Sequence, residues 1–438
     1  MTFSAEAIRR HFCIVVQQQI RIRVQLSGVF TPSAPVATTD LFAGRRRQIT
    51  AVLGAVAQRG QHAILFGERG VGKTSLANLI EGFWDLHMKD MEFLVAPRIT
   101  CGSDDTYESV WNKVADEIQM HYEKRGFSLP FDSGLFKIAF SDLTGGTATP
   151  ASVRRFLELA GKNFIITIDE FDRLQDGSAR RLMADTIKML SDHSVMVTLV
   201  LVGVADNVDQ LVQEHASITR ALAEVFMPRM SPSELQEIVQ NGLGRVGMSI
   251  AIDALEHIAI LAQGLPHYVH QLALKAAEGA LEEQRLDISR HDVNQALDAA
   301  IDLAQESIRN AYRQATTSPR RGHLYKQVLL ACAAANVDDL GYFAPADVQQ
   351  PMTRIMKKPY NTSAFVGHLH QLCTEGKGGV LQKTGAERRQ RFRFTDPLLK
   401  PYILHLGLAD GMITEHSLPR ASIAPLQSIP SPRRHPQA

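Results

Sequence analysis

One eleven-residue run constrains this chain more than any other feature: Phe66-Gly67-Glu68-Arg69-Gly70-Val71-Gly72-Lys73-Thr74-Ser75-Leu76. It satisfies G-x-x-x-x-G-K-[ST], a loop whose backbone N–H groups wrap the phosphates of a nucleoside triphosphate. The apolar run Ala63-Ile64-Leu65-Phe66 before it reads as a strand, and Ser75 to Phe83 after it reads as a helix. Strand, loop and helix is the context in which the pattern works. Gly67, Gly70 and Gly72 let the backbone turn inward without Cβ clashes, and the helix adds its positive dipole end. The nine residues Gly67, Glu68, Arg69, Gly70, Val71, Gly72, Lys73, Thr74 and Ser75 are therefore expected to cradle ATP. Lys73 would reach the β- and γ-phosphates, and the Thr74 hydroxyl would sit on Mg²⁺.

About a hundred residues later comes Phe164-Ile165-Ile166-Thr167-Ile168-Asp169-Glu170, an apolar strand ending in two carboxylates. Asp169 is placed to hold Mg²⁺, and Glu170 to polarise an attacking water. Asp206 and Asn207 follow a second apolar run. They could orient that water or form a simple Asp-Asn turn. Arg220, between the last two strand-like runs, is a candidate finger that completes a neighbouring subunit's site, which implies self-association.

Asn163–Asp169 and Val195–Gly203 are continuous Val/Ile-rich runs, the pattern of parallel strands buried on both faces. With Glu92–Pro97 as a further strand and helices over Arg46–Arg59 and Thr106–Lys124, they predict an α/β layer over 39–230. Residues 1–38 are poorly patterned and read as a weakly ordered extension. After Pro228 the pattern becomes helical. Ser231-Pro232-Ser233-Glu234 is a helix start, with Ser231 as N-cap and Glu234 closing a capping box. Helices over 233–243, 252–262, 266–284 and 290–316, with no strand between them, predict a helical unit over 231–316. From 320 to 406, three helices (Leu324–Asn336, Ala344–Met356 and Ser363–Glu375) precede two strand-like segments, Val380–Lys383 and Arg391–Thr395. That is a winged-helix pattern. Residues 407–438 read as a disordered tail, its final stretch 417–438 rich in Ser, Pro, Ala and Arg.

The 438 residues carry a net charge of +1, so attraction to nucleic acid would need a local patch. Between Arg320 and Lys400 there are thirteen Lys/Arg against six Asp/Glu. Lys357 and Lys358 precede the third helix of the winged-helix pattern, and Arg388, Arg389, Arg391 and Arg393 fall on its hairpin. These six are the candidate contacts to double-stranded DNA, the alternatives being a solvated hairpin or a protein-docking surface. The four cysteines, Cys13, Cys101, Cys332 and Cys373, form no C-x-x-C pair. Their scatter argues against a zinc site or a disulfide framework and fits a reducing cytoplasm. The longest apolar stretch, Val195 to Ala205, is about half of a membrane span, so no membrane partner is expected.

Taken together, these residues resemble the AAA+ ATPases, in particular the origin-recognition and replication-initiator branch and its bacterial relatives. The resemblance covers about 40 to 400. It rests on Phe42-Ala43-Gly44-Arg45, the phosphate loop, and Ile168-Asp169-Glu170-Phe171-Asp172-Arg173-Leu174. Leu201 to Asp206 resembles the sensor 1 segment, and Arg220 the arginine finger. The resemblance implies a parallel-sheet P-loop core, a helical lid, a C-terminal winged helix, and Mg²⁺-dependent hydrolysis of ATP. Two residues depart from the family pattern. Asp206 stands where the sensor is usually a neutral polar residue, and His267 follows Gly264-Leu265-Pro266 where the lid offers an arginine. A histidine is mostly neutral at pH 7, which implies slow turnover and switch-like behaviour. The expected role is a DNA-associated nucleotide switch. A signalling or defence-type ATPase that recruits a protein effector, or a helper ATPase of a mobile element, are the alternatives.

Overall fold

The computed structural model describes residues 17, 19–36, 38–87, 94–124, 147–160, 163–205, 208, 218–302, 306–319, 322–386 and 389–419. Helix α1 covers residues 19–29, followed by a strap over 30–36 with a turn at 32–34. The α/β layer then runs α2 (Arg46–Ala57), β1 (His62–Gly67), α3 (Lys73–His87), β2 (Leu94–Val95) and β3 (Arg98–Thr100). It continues with α4 (Tyr107–Lys124), α5 (Pro150–Ala160), β4 (Asn163–Asp169), α6 (Gly177–Asp192), β5 (Val197–Val204) and β6 (Leu222–Phe226). The strands lie in the order β2, β4, β5, β1, β6, with β3 continuing along β4. Every pairing is parallel.

The continuous apolar runs are explained by burial on both faces. In β1, Ala63 and Leu65 join one core while Ile64 and Phe66 join the other. In β5, Val200 and Val202 face the first core, and Leu199 and Leu201 the second. Successive side chains alternate across a strand, so a layer covered on both faces needs apolar residues at every position. This is the α/β P-loop NTPase fold, as the sequence predicts.

The next elements are α7 (Pro232–Val246), β7 (Ser249–Ile250), α8 (Ile252–Leu261), α9 (Pro266–Glu282), β8 (Asp287–Ile288), α10 (Arg290–Asp302) and α11 (Glu306–Thr316). The start of α7 is the capping box expected from sequence, with Ser231 N–H donating to the Glu234 carboxylate at 2.9 Å. The expectation of helices alone is corrected by β7 and β8, which pair in parallel over two residues each. A ladder that short leaves no periodicity to read.

The chain then forms α12 (Tyr325–Ala333), α13 (Pro345–Met356), α14 (Val366–Leu372), β9 (Leu381–Thr384), β10 (Arg391–Phe394) and α15 (Leu399–Ala409). β9 and β10 are antiparallel, with Phe392 and Phe394 buried beside Phe343. The disordered tail expected from 407 is corrected over 407–419. Helix α15 reaches Ala409, Ile413 and Leu418 are buried, and Gln263 donates to the Pro419 carbonyl at 3.1 Å. Residues 420–438 lie outside the described residues.

The N-terminal expectation is corrected in the same way for 19–36. Ile22, Leu26 and Phe30 recur every four residues and are buried against the helices that follow the sheet. Arg and Gln between them hide the stripe. Phe30 reaches its place because Gly242 has no side chain: a Cβ there would lie 2.5 Å from Phe30 Cζ.

Candidate nucleotide site

The site forms where β1 ends and α3 begins. Gly67 has φ of 144°, and a Cβ at that position would lie 2.4 Å from the Met227 carbonyl. Only glycine permits both the dihedral and the approach of the neighbouring strand end. Arg45, from the Phe-Ala-Gly-Arg segment, is buried and donates to the carbonyls of Val71 at 2.9 Å and Pro228 at 2.6 Å. Its role is to hold the loop from behind. Burial lowers its pKa to about 10, which leaves it charged at pH 7.

Lys73 donates to the carbonyls of Gly67 at 3.0 Å and Glu68 at 2.8 Å. Its ammonium is folded back onto the loop it serves. Burial lowers its pKa to about 8, against the pull of Asp172, Asp169 and Glu68. With a pKa near 8 it stays mostly protonated at pH 7, and phosphate oxygens in place of those carbonyls would favour the charged form further.

Asp169 ends β4, one strand beyond β5 from the loop. Its Oδ1 lies 3.4 Å from the Thr74 hydroxyl and accepts the Glu170 N–H at 2.8 Å, while Oδ2 takes Arg98 at 3.0 Å. Glu170 adopts a left-handed backbone (φ 53°), and its carboxylate pairs with Arg173 at 2.7 Å in a half-exposed position. Asp172 accepts the Val204 N–H at 2.8 Å and so ties the end of β4 to the end of β5.

A cavity of about 700 Å³ opens above these groups, lined among others by Gly72, Lys73, Thr74, Asp169 and Glu170. One wall is the strap: Thr31 N–H donates to His270 Nδ1 at 3.3 Å, and His267 Nδ1 lies 2.7 Å from the Pro32 carbonyl. A carbonyl only accepts, so His267 carries its proton on Nδ1. Burial lowers the pKa of both histidines, that of His270 to about 4. His267 is therefore neutral and turned toward the strap.

The C-terminal elements close another side. Leu398 lines the cavity, and Tyr268 Oη donates to the Leu398 carbonyl at 2.6 Å. Glu68, inside the phosphate loop, is held by Arg229 through Nε at 2.7 Å and Nη2 at 2.9 Å, while Nη1 donates to the Gln263 carbonyl at 3.1 Å. Gly341 lies so close that a Cβ there would be 2.8 Å from Glu68 Oε1, and its φ is 78°. The turn carrying Gly341 is fixed by Asp338, which accepts the Tyr342 N–H at 2.8 Å and pairs with Arg391 of β10 at 2.8 Å. Close packing of Gly341 on Glu68, followed by polar contacts through Asp338, therefore connects the phosphate loop to the β9–β10 hairpin.

Of the residues named from sequence, Arg69, Gly70, Gly72, Lys73, Thr74 and Ser75 of the phosphate loop and Asp169 and Glu170 at the strand end line this cavity, while Gly67, Glu68 and Val71 do not. Arg220 does not: it is exposed in a turn two residues before β6. β6 begins beside His62, so Arg220 sits at the sheet edge opposite the loop. Of the six basic residues, Lys357, Lys358, Arg389 and Arg391 are exposed; Arg391 also pairs with Asp338, Lys358 Nζ lies 5.4 Å over the Tyr360 ring, and Arg393 lies 4.5 Å over the Tyr342 ring. Asp206, Asn207 and Arg388 lie outside the described residues. Sequence reasoning missed Arg98, Arg229, His270 and the strap, which carry no local motif.

Among the described residues no group of three or more His, Cys, Asp or Glu side chains could hold a metal, and no helix is long and apolar enough to cross a membrane. Solved structures similar to this chain include Cdc6p from Pyrobaculum aerophilum, at 16% identity and TM-score 0.43, covering 89% of this chain and 99% of that one. The Aeropyrum pernix ORC1 protein in complex with DNA is 16% identical at TM-score 0.44, covering 88% and 97%. A Walker-type ATPase of Pyrococcus abyssi is 14% identical at TM-score 0.48, covering 85% and 98%. No curated protein matches the chain. The model of the family Novel STAND NTPase 1 matches residues 35–321, from the strap through the end of the helical region. That span is more than half of the sequence, and it contains the phosphate loop, Asp169, Glu170 and His267: the chain belongs to the Novel STAND NTPase 1 family.

Proposed function

We propose that this NTPase binds ATP with Mg²⁺, hydrolyses it slowly, and acts as a switch whose C-terminal winged-helix unit reports the nucleotide state. One observation carries the reading: Glu68 of the phosphate loop is bound to Arg229 and covered by the Gly341 turn, which the hairpin holds through Arg391 and Asp338. A phosphate-driven change in the loop that moves Glu68 would then press on the winged-helix unit.

The residues fit a magnesium–nucleotide complex. The Thr74 hydroxyl and Asp169 Oδ1 lie 3.4 Å apart beside the glycine turn. Mg²⁺ takes few protein oxygens and keeps several waters when phosphates supply the rest. Thr74 and Asp169 would hold it, and when bound it would neutralise negative charge developing on the phosphate oxygens. Lys73 would leave the Gly67 and Glu68 carbonyls for the phosphates. Glu170 would leave Arg173 to hold the proton of the attacking water. His267, neutral and turned to Pro32, supplies no cation over the γ-phosphate, which supports slow turnover.

The docked arrangement favours recruitment of a protein partner over DNA as the output. Arg391 and Arg393 have partners within the chain and Lys358 lies over the Tyr360 ring, leaving Lys357 and Arg389 as the exposed cations for phosphates. Duplex binding that falls steeply with salt, and is weakened by Lys357→Glu with Lys358→Glu, would reverse that preference. The test of the switch is amide hydrogen exchange over 338–342 and 396–409. It compares the nucleotide-free chain, the ADP complex and Mg²⁺–ATP in the Glu170→Gln variant. Faster exchange in the ATP state supports the switch; identical exchange in all three refutes it.

A further inference from the structure

We propose that Arg98 sets which divalent cation the site accepts, by engaging Oδ2 of Asp169 and leaving only Oδ1 for a metal. This rests on the reading of the cavity as a metal–nucleotide site. Arg98 opens β3, which continues along β4 with Arg98 opposite Thr167 and Thr100 opposite Asp169. From there its Nη2 reaches Asp169 Oδ2 at 3.0 Å, on the side of the carboxylate away from Thr74. The remaining oxygen, Oδ1, already accepts the Glu170 N–H at 2.8 Å and lies 3.4 Å from the Thr74 hydroxyl. Among the described residues Arg98 Nε is buried without a hydrogen-bond partner, so the guanidinium is oriented by its bond to Asp169.

The consequence follows from how the two common hard cations use carboxylates. Ca²⁺ takes six to eight oxygens at flexible angles and often binds both oxygens of one carboxylate. Mg²⁺ demands an octahedron, keeps its waters, and takes carboxylates through one oxygen. A carboxylate with Oδ2 bonded to arginine can serve the second cation fully and the first only in part. Arg98 is thus a positioning residue: it acts through Asp169 and discriminates by geometry as well as by charge. Its charge repels both cations alike, so the ratio of their affinities isolates the geometric part.

The experiment measures the affinity of a fluorescent ATP analogue for the full chain while Mg²⁺ or Ca²⁺ is titrated, in the wild type, Arg98→Met and Arg98→Lys. In Arg98→Met the half-saturating Ca²⁺ concentration should fall about tenfold or more further than that of Mg²⁺, the scale of one added charged contact. Arg98→Lys, which can still bond Oδ2, should keep the wild-type ratio. Equal shifts for both cations would show that Arg98 acts only as a charge, and unchanged values that it does not act on the site; either overturns the proposal. If Arg98→Met does not fold, the comparison moves to Arg98→Lys and Arg98→Gln, where a ratio unchanged in both variants is the overturning result. Failure of the underlying reading looks different: the wild type itself would bind the analogue with no dependence on either cation.

Discussion

Glu68 and Arg229 form a two-pronged ion pair, at 2.7 and 2.9 Å, that joins the phosphate loop to the segment after the last strand of the sheet. Both side chains are largely buried, at 7% and 13% exposure. Removing one partner of such a pair leaves the other charge buried alone, at a cost of about 3–5 kcal/mol. Arg229→Met and Glu68→Gln should each destabilise strongly in urea unfolding, and the double variant by less than their sum. Strict additivity would show that the two side chains do not support one another.

Lys400 lies on α15 near this pair and is fully buried. Burial, with Arg229 adding to it, lowers its pKa from 10.5 to about 7. Between those values the folded chain binds fewer protons at this site than the unfolded chain, so this contribution to stability rises with pH. Below about pH 7 the full cost of a buried ammonium remains. Lys400→Met should therefore stabilise most at pH 6, with the advantage shrinking by about 2 kcal/mol at pH 9. A difference from wild type that is flat with pH would contradict this.

At the nucleotide site, Lys73→Ala should abolish binding of the ATP analogue. Glu170→Gln should bind normally and lose hydrolysis by about a hundredfold or more, the usual worth of a positioned base. Calorimetry and phosphate release measure the two. Full turnover in Glu170→Gln would remove Glu170 from the role of base.

Gly242→Ala would place a methyl group 2.5 Å from Phe30. Overpacking of this kind costs about 1–3 kcal/mol. Because Phe30 leads into the strap that meets His267 and His270, nucleotide affinity should fall along with stability. Adding Phe30→Leu should recover part of both, read by thermal unfolding and analogue titration.

Arg220 faces solvent at the sheet edge away from its own phosphate loop, so any catalytic part it plays must be in another subunit. Arg220→Ala should lower turnover by about a hundredfold or more in an assembled state and leave the dilute monomer unchanged. Specific activity independent of concentration, and equal in both proteins, would exclude the trans role.

The legible parts of this protein were those in which function or burial dictates consecutive residues. Gly67 to Thr74 had to be contiguous because successive backbone N–H groups must face one ligand. The strands β1, β4 and β5 were readable because two covered faces require apolar side chains at every position. The start of α7 was readable because a cap is local. Asp169 and Glu170 were named because their strand follows the phosphate loop by about a hundred residues; alone, two carboxylates after an apolar run are as often an ordinary strand end.

What remained hidden depends on residues far apart in the chain. Arg98 meets Asp169, Arg229 meets Glu68, and His270 meets Thr31 across separations of 71, 161 and 239 residues. No local pattern announces such pairs, because a lone arginine or histidine is most often a solvated side chain. The same holds for Gly242, whose missing Cβ is explained only by the Phe30 ring lying against it. By itself the sequence determined the parallel sheet and the phosphate loop, since both are written in adjacent residues. Only the tertiary structure decided that the strap and the C-terminal unit enclose that loop, because long-range packing and ion pairing place them there.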